Sequence, residues 1–425
     1  MRAVYFIASY LVFWAIAPLL LFHPKTRRGL GQRLGFYRKG ILPEGPGPRL
    51  WLHGASAGDL LALSPMIRKL KERLPGSRII LSTTTNTGFL MASERLSRDI
   101  DALIYAPYDL PGATRRAAKA IGPTLLVLEY TEIWPNLIAA AKQQGARVAL
   151  TNGRFSPSQM GRYELFFKAI GSPLKQIDLF LMREKEEAER ALALGAPPDR
   201  VQITGNTKFD ALNVPSTEGE GDEALRRALS IREGDLIWIA GSTHEGEEEL
   251  LVRVFQRLRV RHPRLRLVLA PRYIDRAQRL VEGVRAMGLD IGRRSSPDGQ
   301  AHPVVVLDTI GELSRVYRLA TLVFVGGSFT SRGGQNILEP AGQGRPVLFG
   351  PQMENFRDSV QVLLGRGGIQ VNDDENLYRV IDELLTRPES IDALGAMARA
   401  SVRQVSGASA RNVELLAQTL EAKAP

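Results

Sequence analysis

Short apolar runs of four to six residues recur along this chain, separated by helix-length segments, and no other feature constrains its fold so tightly. They form two series. The first runs through 49–53, 78–83, 102–106, 124–128, 147–151, 179–182 and 201–204; the second through 236–240, 265–270, 304–307, 321–325 and 346–350. Runs this short, apolar on consecutive residues, are strands covered on both faces, and the segments between them suit crossover helices. Right-handed crossovers then give parallel sheets. "VPSTEGEGDE" (214–223), rich in Pro, Gly and acids, reads as a linker between the two series. The pattern predicts an α/β fold of two doubly wound, Rossmann-like domains facing each other across a cleft. The first occupies residues 25–213 and the second 224–425. A chain of 425 residues agrees with two domains, because single cores rarely grow past about 250–300 residues. Ligands of such sheets bind beyond the carboxyl ends of the strands.

Residues 1–24 are different in kind. Val4 to Phe22 carries no charge and has the length of a membrane-crossing helix, with Tyr5, Tyr10 and Trp14 suited to interfaces. Six Lys or Arg and no acid follow between Lys25 and Lys39. The reading is a retained N-terminal anchor helix, with the remainder on the cytoplasmic side of the membrane. The net charge of +11 fits attraction to an anionic membrane surface or a phosphorylated substrate. The basic residues are spread out and not interleaved with aromatics, so a nucleic-acid partner is not expected. The absence of cysteine excludes a disulfide scaffold, a thiolate metal site and a cysteine nucleophile. With five histidines and no paired-histidine motif, no metal is expected. No G-x-G-x-x-G follows the first strand, which argues against a dinucleotide dehydrogenase.

The polar residues that interrupt the pattern stand at strand ends. "HGASAGDLLAL" (53–63) puts one acid, Asp59, at the entry of a helix, where it is either a cap or a base facing a substrate. "GSTHEGEEELL" (241–251) suggests a capping box from Ser242 to Glu245. The alternative there is that free amides and the Ser242 and Thr243 hydroxyls hold a phosphate or sugar oxygen. Arg272 in "APRY" suits a bidentate phosphate contact, and Gly311 in "LDTIGEL" suggests close backbone approach. "FVGGSFTSRGGQNILEPAG" (324–342) has two glycine pairs, then a helix opening at Asn336 with Glu339 one turn in. That reads as an anion cradle with a carboxylate for a ribose diol. "GNTKFD" (205–210) places Lys208 near the domain junction, where it can neutralise charge on a leaving phosphate.

Assembled, these pieces resemble the 3-deoxy-D-manno-octulosonic acid (Kdo) transferases of lipopolysaccharide assembly. The resemblance covers nearly the whole chain and rests on "GQRLGFY", "PYDLP", "TEIWPNL", "GNTKFD", "STHEGEE", "DTIGEL", "FVGGS" and "NILEPA", in that order. It implies a GT-B fold, no metal or cofactor, and inverting transfer of Kdo from CMP-Kdo to a lipid A precursor at the inner membrane. It assigns CMP contacts to Pro271, Arg272, Ile310, Gly311, Glu312, Asn336, Ile337, Leu338 and Glu339. It makes Asp59 the proton acceptor and Lys208 the stabiliser of the transition state. Tyr130 joins the catalytic candidates at a position where the family normally has Glu. The family usually has Glu at Asp59 as well, and reads G-G-H-N where this chain has Gln335, and P-R-H where it has Tyr273. Two alternatives stay open: a membrane-attached CMP-binding paralogue with weak or no transfer, and a transferase for a different lipid acceptor.

Overall fold

The computed structural model describes residues 5–11, 13–15, 28–212 and 222–422. The chain divides into two compact units, residues 1–211 together with 406–425, and residues 212–405. The sequence reading ends the second domain at residue 425. The last helix, Ala408–Glu421, lies instead in the first unit.

The first unit is built on a seven-stranded parallel sheet. Its strands are β1 (Arg49–His53), β2 (Arg78–Thr83), β3 (Ala102–Tyr105), β4 (Leu125–Glu129), β5 (Arg147–Gly153), β6 (Leu179–Met182) and β7 (Val201–Ile203), in the order β3-β2-β1-β4-β5-β6-β7. Side chains alternate between the faces. Trp51, Leu126 and Leu128 enter one core with Ile80, Ile138 and Phe180. Leu50, Leu52, Leu125 and Val127 enter the other with Leu60, Leu63 and Ile67. Val413 and Leu416 of the last helix complete that second core. Asp210 holds the start of this helix, accepting the N–H groups of Gly407 and Ser409 at 2.6 Å each.

The second unit carries β8 (Leu236–Thr243), β9 (Leu265–Pro271), β10 (Ile291–Arg293), β11 (Val304–Val306), β12 (Leu322–Val325), β13 (Val347–Phe349) and β14 (Gly368–Gln370). The order is β10-β11-β9-β8-β12-β13-β14, again parallel throughout. The first order reverses between β1 and β4, and the second between β8 and β12, with β11 also inserted between β9 and the edge strand β10. These reversals are where doubly wound sheets open a crevice at the carboxyl ends of their strands.

The expected anchor and linker fall mostly outside the described residues. Among the described residues, no helix is long and apolar enough to cross a membrane. Residues 5–11 and 13–15 are helical. Tyr5 donates its hydroxyl to Asp109 at 2.8 Å, and the Tyr10 hydroxyl accepts the Gly112 N–H at 3.1 Å.

Candidate active site

Both reversals gather the sequence-predicted residues, and each unit is described by itself. Strain marks the same places. Among the described residues, the non-glycine positions with positive φ are Tyr130 (56°), Asn152 (51°), Ser230 (57°) and Ser242 (56°). Tyr130 follows the end of β4, and Asn152 and Ser242 stand at the next-to-last positions of β5 and β8. Left-handed backbone at a tyrosine or serine costs on the order of 1–3 kcal/mol and tends to collect at functional sites.

In the first unit, β1 runs into helix Ala57–Arg73 through a turn that Gly54 makes possible. A Cβ there would lie 2.9 Å from the Asp59 Cβ. Ser56 caps the helix, and Asp59 answers as the third residue of a capping box. Its Oδ2 accepts the Ser56 N–H at 2.8 Å, and the Ser56 hydroxyl accepts the Asp59 N–H at 3.5 Å. Among the described residues, Oδ1 of Asp59 has no hydrogen-bond partner, and the side chain is neither buried nor fully exposed. Asp59 is thus a cap with one oxygen to spare: Oδ2 is pinned to the helix start and Oδ1 is open.

Tyr130 and Glu129 lie at the end of β4. Glu129, the acid next to Tyr130, is wholly buried. It accepts the Thr151 hydroxyl at 2.6 Å and the Asn152 side-chain N–H. Burial raises its carboxyl to about 8, against those two hydrogen bonds, and the Asp59 charge adds to the rise. Tyr130 is half-buried and its phenol is pushed up, chiefly by burial and then by Glu129. From Asn152 the bonding continues. Its Nδ2 also donates to the Thr207 hydroxyl at 2.5 Å, and its Oδ1 accepts the Thr207 N–H at 2.9 Å. Thr207 donates in turn to the carbonyl of Ala62, one turn beyond Asp59, at 3.0 Å. Lys208 follows immediately, half-buried, its N–H held by Asn206 at 3.0 Å. One buried chain of hydrogen bonds therefore links the Asp59 helix to the Lys208 helix (Thr207–Leu212).

Beside it, the His53 ring meets Glu132 at 3.3 Å, and the Trp134 indole donates to the same carboxylate at 2.8 Å. Burial works against ionisation of Glu132, but His53 and Trp134 outweigh it and hold the carboxyl below its ordinary range. Sequence reasoning gave no role to Asn152, Thr207, His53 or Glu132. Their signal was present only as polar groups at or shortly after strand ends.

In the second unit the glycine-rich loop is organised by Glu247. Its carboxylate accepts the N–H groups of His244 (2.9 Å), Gly327 (2.7 Å), Ser328 (3.0 Å) and Phe329 (2.9 Å). The expected box from Ser242 to Glu245 does not form, because Ser242 still belongs to β8 and the following helix begins at Glu247. The amides after the first glycine pair, expected to cradle an anion, are occupied by this internal carboxylate. Thr243 is also committed: wholly buried, it donates to Glu248 at 3.1 Å, and Glu248 is gripped by two nitrogens of Arg276 at 3.1 and 3.3 Å. Ser242 is half-buried.

His244 stands at the centre of a positive field. Burial lowers its imidazole, and Arg332, Arg276 and Arg272 lower it further, opposed only by Glu248. Gln335 approaches its Nε2 at 3.4 Å and Tyr273 meets the ring edge-on. Arg272 is exposed, with its N–H bound to the Thr243 carbonyl at 2.9 Å, while Pro271 is buried. Gly311 has φ of 85°, the left-handed backbone of a turn, and a Cβ there would meet open space. Ile310 is almost wholly exposed beside it. Glu312 pairs with Arg294 at 2.8 Å. Asn336 lies two residues before the short helix Leu338–Gly342 and accepts the Leu338 N–H at 3.0 Å; Ile337 and Leu338 are buried. Burial raises the Glu339 carboxyl.

Known proteins resemble this chain in sequence and in fold. The family described as 3-Deoxy-D-manno-octulosonic-acid transferase (kdotransferase) matches residues 28–211. The 3-deoxy-D-manno-octulosonic acid transferase of Haemophilus influenzae is 32% identical over 409 residues, covering 94% of this chain and 93% of its own. Among solved structures, the UDP-GlcNAc 2-epimerase of Neisseria meningitidis covers 87% of this chain and all of its own, with a TM-score of 0.57 at 13% identity. A glycosyltransferase from Rickettsia africae covers 89% of this chain and all of its own, with a TM-score of 0.52 at 13% identity. Those two likenesses concern the fold, which is GT-B.

Proposed function

The chain belongs to the 3-deoxy-D-manno-octulosonic acid transferase family, and we propose that it moves Kdo from CMP-Kdo to a lipid A precursor with inversion. In this reading a sugar hydroxyl of the acceptor gives its proton to Asp59 while its oxygen attacks the anomeric carbon. The bond from that carbon to the CMP phosphate oxygen breaks, and CMP leaves as the anion. Lys208 stabilises the charge on the departing phosphate. Arg272, with Asn336 and Glu339, holds the nucleotide side. The uncharged segment Val4 to Phe22 and the basic residues after it support an anchor that keeps the enzyme at the cytoplasmic face of the inner membrane.

The observation that carries the reading is the half-engaged carboxylate of Asp59. Pinned through Oδ2 and open at Oδ1, it is a fixed acceptor that needs no rearrangement to take a proton. Aspartate is shorter than the family's glutamate by about 1.5 Å, one C–C bond. The test is to incubate purified protein with CMP-Kdo and a tetra-acylated lipid A precursor and to weigh the products. A gain of one or more Kdo units is expected, and an unchanged precursor sinks the proposal.

A second reading is favoured by β4, where Tyr130 replaces the family's Glu and Glu129 is buried beyond substrate reach. It is a CMP-binding relative without transfer. CMP binding with no product, and no rescue of a strain lacking its own Kdo transferase, would select it.

A further inference from the structure

The amino edge of the second sheet holds a basic pocket that none of the chemistry above uses. It measures about 620 Å³ and is lined by Arg345, Arg399 and Arg403, with Gln343, Gln404 and small residues between them and no carboxylate. Arg345 stands two residues before β13, and Arg399 and Arg403 lie on helix Pro388–Val405. The strands are parallel, so this edge is opposite to the one that carries Ser242, Arg272 and the glycine loop.

The pocket is built by close backbone approach. A Cβ on Gly395 would fall 2.2 Å from the carbonyl oxygen of Gly344, so glycine lets the helix seat against the turn that presents Arg345. Arg399 reaches over and donates to the Gln343 carbonyl at 3.0 Å. Arg345 donates to the carbonyl of Arg318, while its Nε is buried with no hydrogen-bond partner among the described residues. No carboxylate of the described residues lies within ion-pair distance of Arg345, Arg399 or Arg403. Arg399 and Arg403 are spaced i,i+4 on one helix face, where like charges destabilise. Burial first, then the fields of Arg399 and Arg226, work against the charge of Arg345, and Asp392 opposes them from beyond ion-pair distance.

Crowded guanidiniums without an ion-paired carboxylate among the described residues, around a concavity, match the geometry of phosphate recognition. We infer that this pocket binds a phosphate-bearing anion, at the edge of the second unit opposite to its nucleotide-side residues. The phosphate can belong to a lipid head group or to a free phosphorylated metabolite, since the arginines recognise the same oxygens in each.

The experiment is calorimetric titration of the full chain with pyrophosphate, in saturating CMP and at ionic strength fixed with potassium chloride. Wild type is expected to bind one pyrophosphate. The double variant Arg399→Gln/Arg403→Gln is expected to bind it at least 10-fold more weakly, with CMP affinity and unliganded Tm retained; Arg403→Glu is the second variant should the double one misfold. Dihexanoyl phosphatidylglycerol below its micellar concentration and glycerol 3-phosphate are then used as competitors. The one that displaces pyrophosphate identifies the source. Equal pyrophosphate binding by wild type and variant, displacement of pyrophosphate by CMP, or no binding to wild type overturns the inference. Arginine-dependent pyrophosphate binding by a protein that ignores CMP leaves it standing while the nucleotide reading falls.

Discussion

Asn152 accepts the backbone N–H of Thr207 at 2.9 Å, and so fixes the residue immediately before Lys208. The same side chain donates to the Thr207 hydroxyl and to Glu129, and Thr207 continues to the carbonyl of Ala62. The two helices that carry the proposed base and the proposed phosphate-stabilising lysine are thereby held by one amide.

Replacing that amide separates positioning from binding. Asn152→Ala leaves buried groups of Glu129 and Thr207 unpaired, at roughly 1–3 kcal/mol each. Misplacement of Lys208 by about 1 Å is expected to lower kcat on the order of 10²-fold. The Kd for CMP is expected to change little, because the nucleotide-side residues belong to the second unit. Steady-state kinetics together with CMP titration check this. Unchanged kcat would show that the chain of hydrogen bonds serves stability alone.

Glu129 gives a signed pH effect. Its carboxyl stands at about 8 in the folded chain, against an ordinary value of 4.5, so the folded state holds a proton that the unfolded state releases. Between those two values the folded protein binds more protons than the unfolded one, and stability falls as pH rises. Above about 8 both states are ionised and the loss levels off. Glu129→Gln keeps the shape of the protonated acid without titrating. Its Tm advantage over wild type is therefore expected to grow from pH 5 to 8 and to flatten beyond. Melting curves of both proteins in matched buffers read the difference directly, and contributions shared by other groups cancel.

Asp59→Asn tests the base while sparing the cap. The asparagine carbonyl can still accept the Ser56 N–H, so the helix start is expected to survive with a small change in Tm. Transfer is expected to fall 10²–10⁴-fold, the range associated with a positioned general base. CMP affinity stays level. Asp59→Glu, which restores the family's longer acid, is expected to keep activity within about tenfold of wild type. Full transfer by Asp59→Asn removes this residue from the reaction.

The architecture was largely readable from apolar runs, because a strand buried on both faces announces itself without help from its neighbours. Each of the expected strands forms, within a few residues of its expected bounds. β10 and β14 escaped notice because they are three-residue edge strands, Ile291–Arg293 and Gly368–Gln370, each with a single large apolar side chain. The return of helix Ala408–Glu421 to the first unit was equally hidden. Its amphipathic face shows that it packs, and only the three-dimensional contacts with Asp210 and the Leu63 core show where. At the proposed site, strand ends marked where these residues gather but not which partners hold them. The carboxylates after β8 look alike in sequence, and Glu247 and Glu248 are both buried; only their partners, the loop amides for one and Arg276 for the other, tell them apart.

Glu247 supports the last prediction. Four backbone donors converge on one buried carboxylate, and three of them, Gly327, Ser328 and Phe329, define the course of the loop after β12. The Ser328 hydroxyl extends the arrangement, donating to the Val325 carbonyl at 2.6 Å and accepting the Gly350 N–H at 2.8 Å. Glu247→Gln replaces one acceptor oxygen by an amide that faces donors, and Glu247→Ala leaves all four N–H groups unpaired. Each orphaned donor costs roughly 1–3 kcal/mol, so the alanine variant is expected to lose the ordered loop or the second unit altogether. The glutamine variant is the informative one. It is expected to fold, to show faster amide exchange at residues 327–329, and to bind CMP at least 10-fold more weakly while Asp59 and its helix keep their protection. Hydrogen exchange read by mass spectrometry, with CMP titration alongside, distinguishes this from general destabilisation. Uniform loss of protection across both units would mean that Glu247 only holds the fold, whereas loss confined to the loop and to nucleotide affinity means that it shapes the nucleotide side of the enzyme.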